Sequence, residues 1–292
     1  MKVSNLKEKL KPYLLLFPIL FILITIFVSG IIMGAIQSLG YFKAVGLTEF
    51  TLKYYKDVLT SKGFLASLGF SLYTSFTSSI IAIICGVLLS YGILQVKGKK
   101  EVIESLYRAP IIVPHIISVL LIYNILSQTG IIPRILYETG LIIEGSQFPS
   151  ILYEKNGIGI IITYLWKEIP FVALTTYTIL GKVSNRLSDA AANLGANKMQ
   201  VFFYILLPLI MPSVFSSFII IFAFSFGAYE VPLLLGPTQP KALPVQAFIE
   251  YNNPVLANRP YAMVYNILIT LIAFILTGLY YKTFQKIYKY DR

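Results

Sequence analysis

Four ionisable side chains fall within stretches that are otherwise apolar: Lys167 and Glu168, Glu230, and His115 after Pro114. Their types limit the chemistry open to them. Glu230 lies in Phe226-Gly227-Ala228-Tyr229-Glu230-Val231-Pro232, where a carboxylate beside the Tyr229 ring suits a cation through charge and cation–π attraction, or alternatively a loop lysine or helix end. Lys167 and Glu168 are neighbours, so on a helix they point about 100° apart and cannot form an i, i+4 pair. They serve either as the lining of a polar pathway or as partners for adjoining helices or subunits. His115 stands alone in the sequence, which leaves no metal cluster and no Ser-His pair to build, and it reads first as a packing residue. Cys85, the single cysteine, reads as a small apolar side chain. No Asp occurs in any long apolar run, so an intramembrane enzyme lacks its catalytic set.

The elements that must position these groups follow from the apolar runs. The chain has 292 residues, 57% hydrophobic and only 13% charged, too few charges for a water-soluble surface, so soluble enzymes, disulfide scaffolds and disordered chains are set aside. A helical span needs about 20 apolar residues. Six runs meet or approach that: Tyr13 to Ala35, Phe64 to Val96, Ile111 to Leu126, Gly157 to Leu180, Leu209 to Leu235 and Ala262 to Tyr281. The third is shorter, is interrupted by Pro114 and His115, and is expected to extend a few residues at either end. Backbone groups in lipid must be satisfied internally and no alternating strands occur, so the expected fold is all-α, a polytopic membrane protein with six transmembrane helices. The first run exceeds the roughly 7 to 15 apolar residues of a signal peptide and is expected to remain as a span.

Basic residues orient the spans. With both termini cytoplasmic, the inner segments hold Lys2, Lys7, Lys9, Lys11, Lys97, Lys99, Lys100, Arg108, Lys182, Arg186, Lys198, Lys282, Lys286, Lys289 and Arg292 against five acids. The outer loops hold Lys43, Lys53, Lys56, Lys62, Arg134, Lys155, Lys241 and Arg259 against six. The formal charge of +11 is thereby read as membrane topology and contact with anionic membrane lipid, not as nucleic-acid binding.

No repeat or low-complexity tract interrupts the chain, which reads as a single transmembrane domain over residues 1–292. Short helices are expected in the loops 37–63 and 129–156, while five prolines exclude a continuous helix over 236–260. The loop 181–208 is the most informative segment. From Asp189 it reads Asp-Ala-Ala-Ala-Asn-Leu-Gly-Ala-Asn-Lys-Met-Gln-Val-Phe-Phe-Tyr-Ile-Leu-Leu-Pro. This predicts a short helix from about Ser188 with Asp189 near its N-terminus, a left-handed Gly195, and a second amphipathic helix stopped by Pro208, with Met199, Phe202, Phe203 and Leu206 on its apolar face. Ala190, Ala191 and Ala192 leave the backbone open to close approach.

These residues resemble the loop of the integral-membrane permease subunits of binding-protein-dependent ABC importers: Glu-Ala-Ala, three residues, Gly, nine residues, Ile, one residue, Leu-Pro. The match is Asp189, Ala190, Ala191, Gly195, Ile205, Leu207 and Pro208, with Asp189 one methylene shorter than the usual Glu. The resemblance implies a coupling helix that docks on a separate cytoplasmic ABC ATPase dimer, a second permease subunit, identical or paralogous, and an extracellular or periplasmic solute-binding protein. It also implies alternating access in a bacterial plasma (inner) membrane. ATP and magnesium are then used by the ATPase, and no cofactor is expected on this chain. In keeping with that division, no Gly-x-x-x-x-Gly-Lys-Ser/Thr phosphate loop occurs in the sequence.

Within that family, the stretch Glu230 to Gly236 looks most like the spermidine/putrescine-type group, which also takes phosphonates, ferric iron and thiamine. The resemblance points to a polyamine first, and Tyr229, Glu230, Lys167 and Glu168 are the candidate pathway residues. The competing class is a stand-alone secondary transporter or channel, which predicts internal pseudo-symmetry and paired broken helices that the sequence does not display.

Overall fold

The computed structural model describes the backbone of residues 2–96, 98 and 100–290, and side chains over 11–96, 98, 100–181 and 187–285. Among these residues the long elements are helical, and six helices are long and apolar enough to cross a membrane: Lys11–Ser38, Phe64–Gln95, His115–Glu138, Ile158–Gly181, Lys198–Gly227 and Leu256–Gln285. Several of the basic residues expected on the inner side lie outside the described residues: Lys97, Lys99 and Arg292 altogether, and the side chains of Lys2, Lys7, Lys9, Lys182, Arg186, Lys286 and Lys289.

The chain groups into two compact units, Met1–Ser61 with Ala247–Leu268, and Lys62–Gln246 with Ile269–Arg292. In the first, helix α1 (Lys2–Ser38) exposes its apolar side chains over the candidate span, and α2 (Lys53–Thr60) is a short helix of the following loop. Ser38 Oγ and Tyr55 Oη lie 2.8 Å apart, and Tyr54 packs edge-on against Tyr261 with Tyr261 Oη donating to Asp57 Oδ2 at 2.9 Å.

The second unit contains α3 (Phe64–Gln95), α4 (Lys100–Ile112), α5 (His115–Leu126), α6 (Ile131–Glu138), α7 (Ile158–Asn193), α8 (Lys198–Val201), α9 (Leu207–Gly227) and α10 (Glu230–Leu235). Helix α11 (Leu243–Tyr251) and α12 (Arg259–Tyr290) contribute residues to both units. Helices α3, α7 and α9 pack most extensively. Gly86 lets α3 reach α7: a β-carbon there would stand 2.6 Å from Val172 Cβ and 3.0 Å from the Ile169 carbonyl. The α3 face turned inward is largely hydroxylic, with Ser67, Ser71, Thr74, Ser75, Ser78 and Ser79 all buried. Small hydroxyls suit close helix approach, and some return a hydrogen bond to their own helix, as Thr74 does to Phe70 O at 3.0 Å. Ser71 instead accepts from Leu243 N at 2.8 Å and fixes the start of α11.

Three boundaries differ from the sequence expectation. The third run does not begin at Ile111: Pro114, which has no N–H to donate, separates α4 from α5, and the span starts at His115. The fifth run does not continue to Leu235. Helix α9 ends at Gly227, Ala228 is extended, and Glu230 opens the separate helix α10, whose end is held where Tyr153 N donates to Leu235 O at 2.9 Å. Finally, no new helix starts near Ser188, because α7 runs unbroken from Ile158 to Asn193.

Candidate functional site

The loop motif forms a tight reversal built from two terminal devices set back to back. Helix α7 closes with Gly195 at φ +86°, Gly195 N donating to Ala192 O at 2.9 Å and Ala196 N donating to Ala191 O at 3.0 Å. This pair of bonds is a Schellman ending, which satisfies carbonyls left open at a helix C-terminus. Two residues later Asn197 caps α8: its side chain accepts from Gln200 N at 2.9 Å, and the Gln200 side chain accepts from Asn197 N at 2.8 Å. The left-handed Gly195 is as the spacing predicts. The Asn197 cap is also legible in the sequence, as Asn with Gln three residues on.

Two expectations for this loop are corrected. Asp189 is exposed and sits in the last turns of α7, near a helix C-terminus rather than an N-terminus, because the long α7 supplies the helical residues. Pro208 does not stop the second helix. A π-helical turn over Phe202–Leu206 precedes it, and Pro208 falls in the first turn of α9, where its missing N–H is tolerated. The expected apolar face is split: Phe202 and Leu206 are buried, whereas Met199 and Phe203 are exposed. Leu194 and Tyr204 are the most open of the loop's large side chains, at 89% and 80% exposure. Ala190 and Gly195 are exposed, Ala191 is buried, Ile205 and Leu207 are half-buried, and Pro208 is exposed. The reversal is braced from α3, with Tyr91 Oη donating to Lys198 O at 3.3 Å and the Tyr91 ring 4.4 Å from that of Phe202.

A second arrangement lies near the middle of the span Ile158–Gly181. Lys167, Glu168 and His115 border one cavity of about 220 Å³, together with Ile111, Phe171, Ile220, Ile221 and Phe224. The ring of His115 packs on Phe224 with centroids 4.6 Å apart, in keeping with a packing role. Lys167 Nζ donates to the carbonyl of Val113 in the break between α4 and α5. Glu168 is only 5% exposed, and neither carboxylate oxygen closes a hydrogen bond to a protein group, although the hydroxyls of Ser78 and Ser225 reach towards it. Those hydroxyls are bonded to backbone carbonyls, Ser78 to Ser75 O at 3.2 Å and Ser225 to Ile221 O at 2.8 Å. Glu230 is half-buried in the first turn of α10, where a carboxylate suits the helix dipole. Tyr164 is buried and its Oη donates to Ser225 O at 3.3 Å. Tyr229, at the N-terminal edge of α10, is 37% exposed. The structure thus brings Lys167, Glu168 and His115 to one cavity, whose lining does not include Glu230. The buried hydroxyls of α3 were missed, although Ser67, Ser71, Thr74 and Ser78 recur at helical spacing. Among the described residues no cluster of His, Cys, Asp and Glu is arranged to hold a metal ion.

Several known proteins are similar to this chain. The spermidine/putrescine transport system permease protein PotB of Haemophilus influenzae is 33% identical over 125 residues, a stretch covering 43% of each chain and so less than half the length of that relative. The molybdate/tungstate transport system permease protein WtpB of Pyrococcus abyssi is 26% identical over 197 residues, 66% of this chain and 69% of that one. Among solved structures, a bacterial ABC transporter involved in the import of the acidic polysaccharide alginate matches with a TM-score of 0.81 at 17% identity, over 98% of this chain and 99% of that one. That last likeness is one of fold. The six-span helical architecture and the loop at 189–208 agree with a match of residues 78–288 to the binding-protein-dependent transport system inner membrane component, and the chain belongs to that family.

Proposed function

We propose that this chain lines the solute pathway of an ATP-driven importer and takes its energy from a separate ATPase through the 189–208 loop, with both termini on the ATPase side of the membrane. The observation that carries this reading is the loop reversal itself. Two hydrogen-bonded helix endings hold it rigid, and it presents Leu194, Met199, Phe203 and Tyr204 outward, a set of large side chains that a soluble partner would cover. A second permease subunit and an extracytoplasmic binding protein complete the assembly. The alginate transporter that shares the fold has been crystallised with a pentasaccharide-bound periplasmic protein, which supports a partner of that kind. The solute is a small polar or cationic molecule, with a polyamine the first choice. The polyamine permeases among the relatives support this, and Glu168 and Glu230 are carboxylates within largely apolar stretches of the sequence.

Affinity purification from native membranes tests the coupling. The tagged chain is expected to retain an ATPase, and Asp189→Arg or Gly195→Pro to remove most ATP-dependent uptake while the protein still reaches the membrane. Recovery without any ATPase, with uptake intact in both variants, would rule the reading out.

A further inference from the structure

Between the loop reversal and the end of α3 lies a cavity of about 690 Å³, roughly three times the one that Lys167 lines. Its wall is amphipathic: Leu94, Val201 and Leu206 are apolar, whereas Lys100, Lys198 and Asp189 bring two cations and one anion. The cation of Lys100 is held at the end of α3, where its Nζ donates to Leu94 O at 3.3 Å, and Lys198 is tied to the same helix through the bond from Tyr91 to its carbonyl. Leu194, Met199, Phe203 and Tyr204 are not among the lining residues, so this is a different face from the one the loop turns towards a soluble partner. The span Phe64–Gln95 ends and the span Lys198–Gly227 begins at this cavity, which puts it at the depth of the lipid head groups on one side of the bilayer. Tyr91, an aromatic ring with a polar tip, suits that depth.

We propose that this cavity holds the head group of an aminophospholipid of the phosphatidylethanolamine kind, its phosphate on Lys100 and Lys198, its ammonium on Asp189, and the start of its acyl chains against Leu94 and Leu206. Charge complementarity selects this occupant. A phosphate joined to a primary ammonium is the zwitterion that two lysines and one carboxylate match, each through charge-assisted hydrogen bonds. Phosphatidylglycerol offers Asp189 hydroxyls but no cation, and the quaternary ammonium of phosphatidylcholine has no N–H to donate. Basic pockets between membrane helices recognise phosphate head groups in this way. Bound there, the lipid joins the end of α3 to the reversal and steadies the loop. The importance of that bracing for transport rests on the importer reading, whereas the binding does not.

Native mass spectrometry of the whole chain in detergent tests the site, with dioleoyl phosphatidylethanolamine, phosphatidylglycerol and phosphatidylcholine as probes. The ethanolamine lipid is expected to be retained at least about fivefold better than either of the others, and Lys100→Gln with Lys198→Gln to lower its retention at least about tenfold. Lys282→Gln, an exposed lysine away from the cavity, should change nothing. Asp189→Asn should remove the preference for the ethanolamine lipid over the glycerol lipid. Bound ethanolamine lipid should also slow hydrogen exchange over residues 189–201 in the wild type and not in the double lysine variant. Equal retention of the three lipids, retention that survives loss of both lysines, or exchange that ignores the lipid would overturn the proposal. So would displacement of the lipid by water-soluble glycerophosphoethanolamine at equal concentration, which would assign the cavity to a soluble phosphate ester. Release of the lipid when the partner ATPase binds would overturn it too, by making the cavity part of that interface. The two readings fail separately: a chain that keeps the lipid selectively but recovers no ATPase leaves the lipid site standing and removes the loop's coupling role.

Discussion

Lys167 donates its ammonium to Val113, at the point where α4 gives way to Pro114, and so bridges α7 to a helix break instead of pairing with the carboxylate beside it. Helix ends leave carbonyls without intrahelical partners, and a cation near a C-terminus suits the dipole. Replacing Lys167 by Met is therefore expected to destabilise the protein by about 1.5–3 kcal/mol, the range for hydrogen bonds to charged groups. Lys167→Arg should keep most of that. Thermal and denaturant unfolding of both variants in detergent checks the ordering, and equal losses would mean that the ammonium contributes nothing specific.

The approach of α3 to α7 makes a sharper steric prediction. Gly86→Ala places a methyl group into Val172, and since overpacking of a fitted core costs about 1–3 kcal/mol, the melting temperature should fall. Val172→Ala in the same chain opens the needed space. A double-mutant cycle should show the pair to be more stable than the sum of the single changes predicts.

At Gly195 the limit is backbone conformation, not space, since a β-carbon there meets nothing within 4 Å. Gly195→Ala should cost about 1–2 kcal/mol for an L-residue held left-handed. Gly195→Asn should cost less, because its side chain tolerates that region. Hydrogen exchange over residues 191–201 reads the difference locally, and identical protection in the two variants would count against a left-handed turn.

The cap of α8 gives a further prediction. Asn197→Ala removes the side-chain acceptor of Gln200 N and is expected to cost about 1 kcal/mol. Exchange should rise at Gln200 and in the following π turn, with little change in the N-terminal half of α7.

The sequence reached the six spans and the loop motif because both are written in strong local terms: apolar length for the first, residue spacing for the second. It failed where a long-range neighbour decides the outcome. Asp189 reads as an N-terminal residue only if Ser188 starts a helix, and nothing local reveals that α7 continues through it. Pro208 reads as a stop, yet the widened turn at Phe202–Leu206 sets it at the start of α9. The division between Lys167 and Glu168 was illegible for the same reason. The partner of Lys167 is a carbonyl 54 residues away, and the isolation of Glu168 follows from Ser78 and Ser225 having satisfied themselves on their own helices.

The unbroken course of α7 has a mechanical side. Its 36 residues extend about 54 Å, well beyond the roughly 30 Å of a hydrocarbon core. Glu168 and Asp189 lie on this one helix about 32 Å apart along its axis, with Pro170 between them. The weak point of the shaft is Pro170, two residues past Glu168, which returns no hydrogen bond to the Trp166 carbonyl and is where the lever can bend.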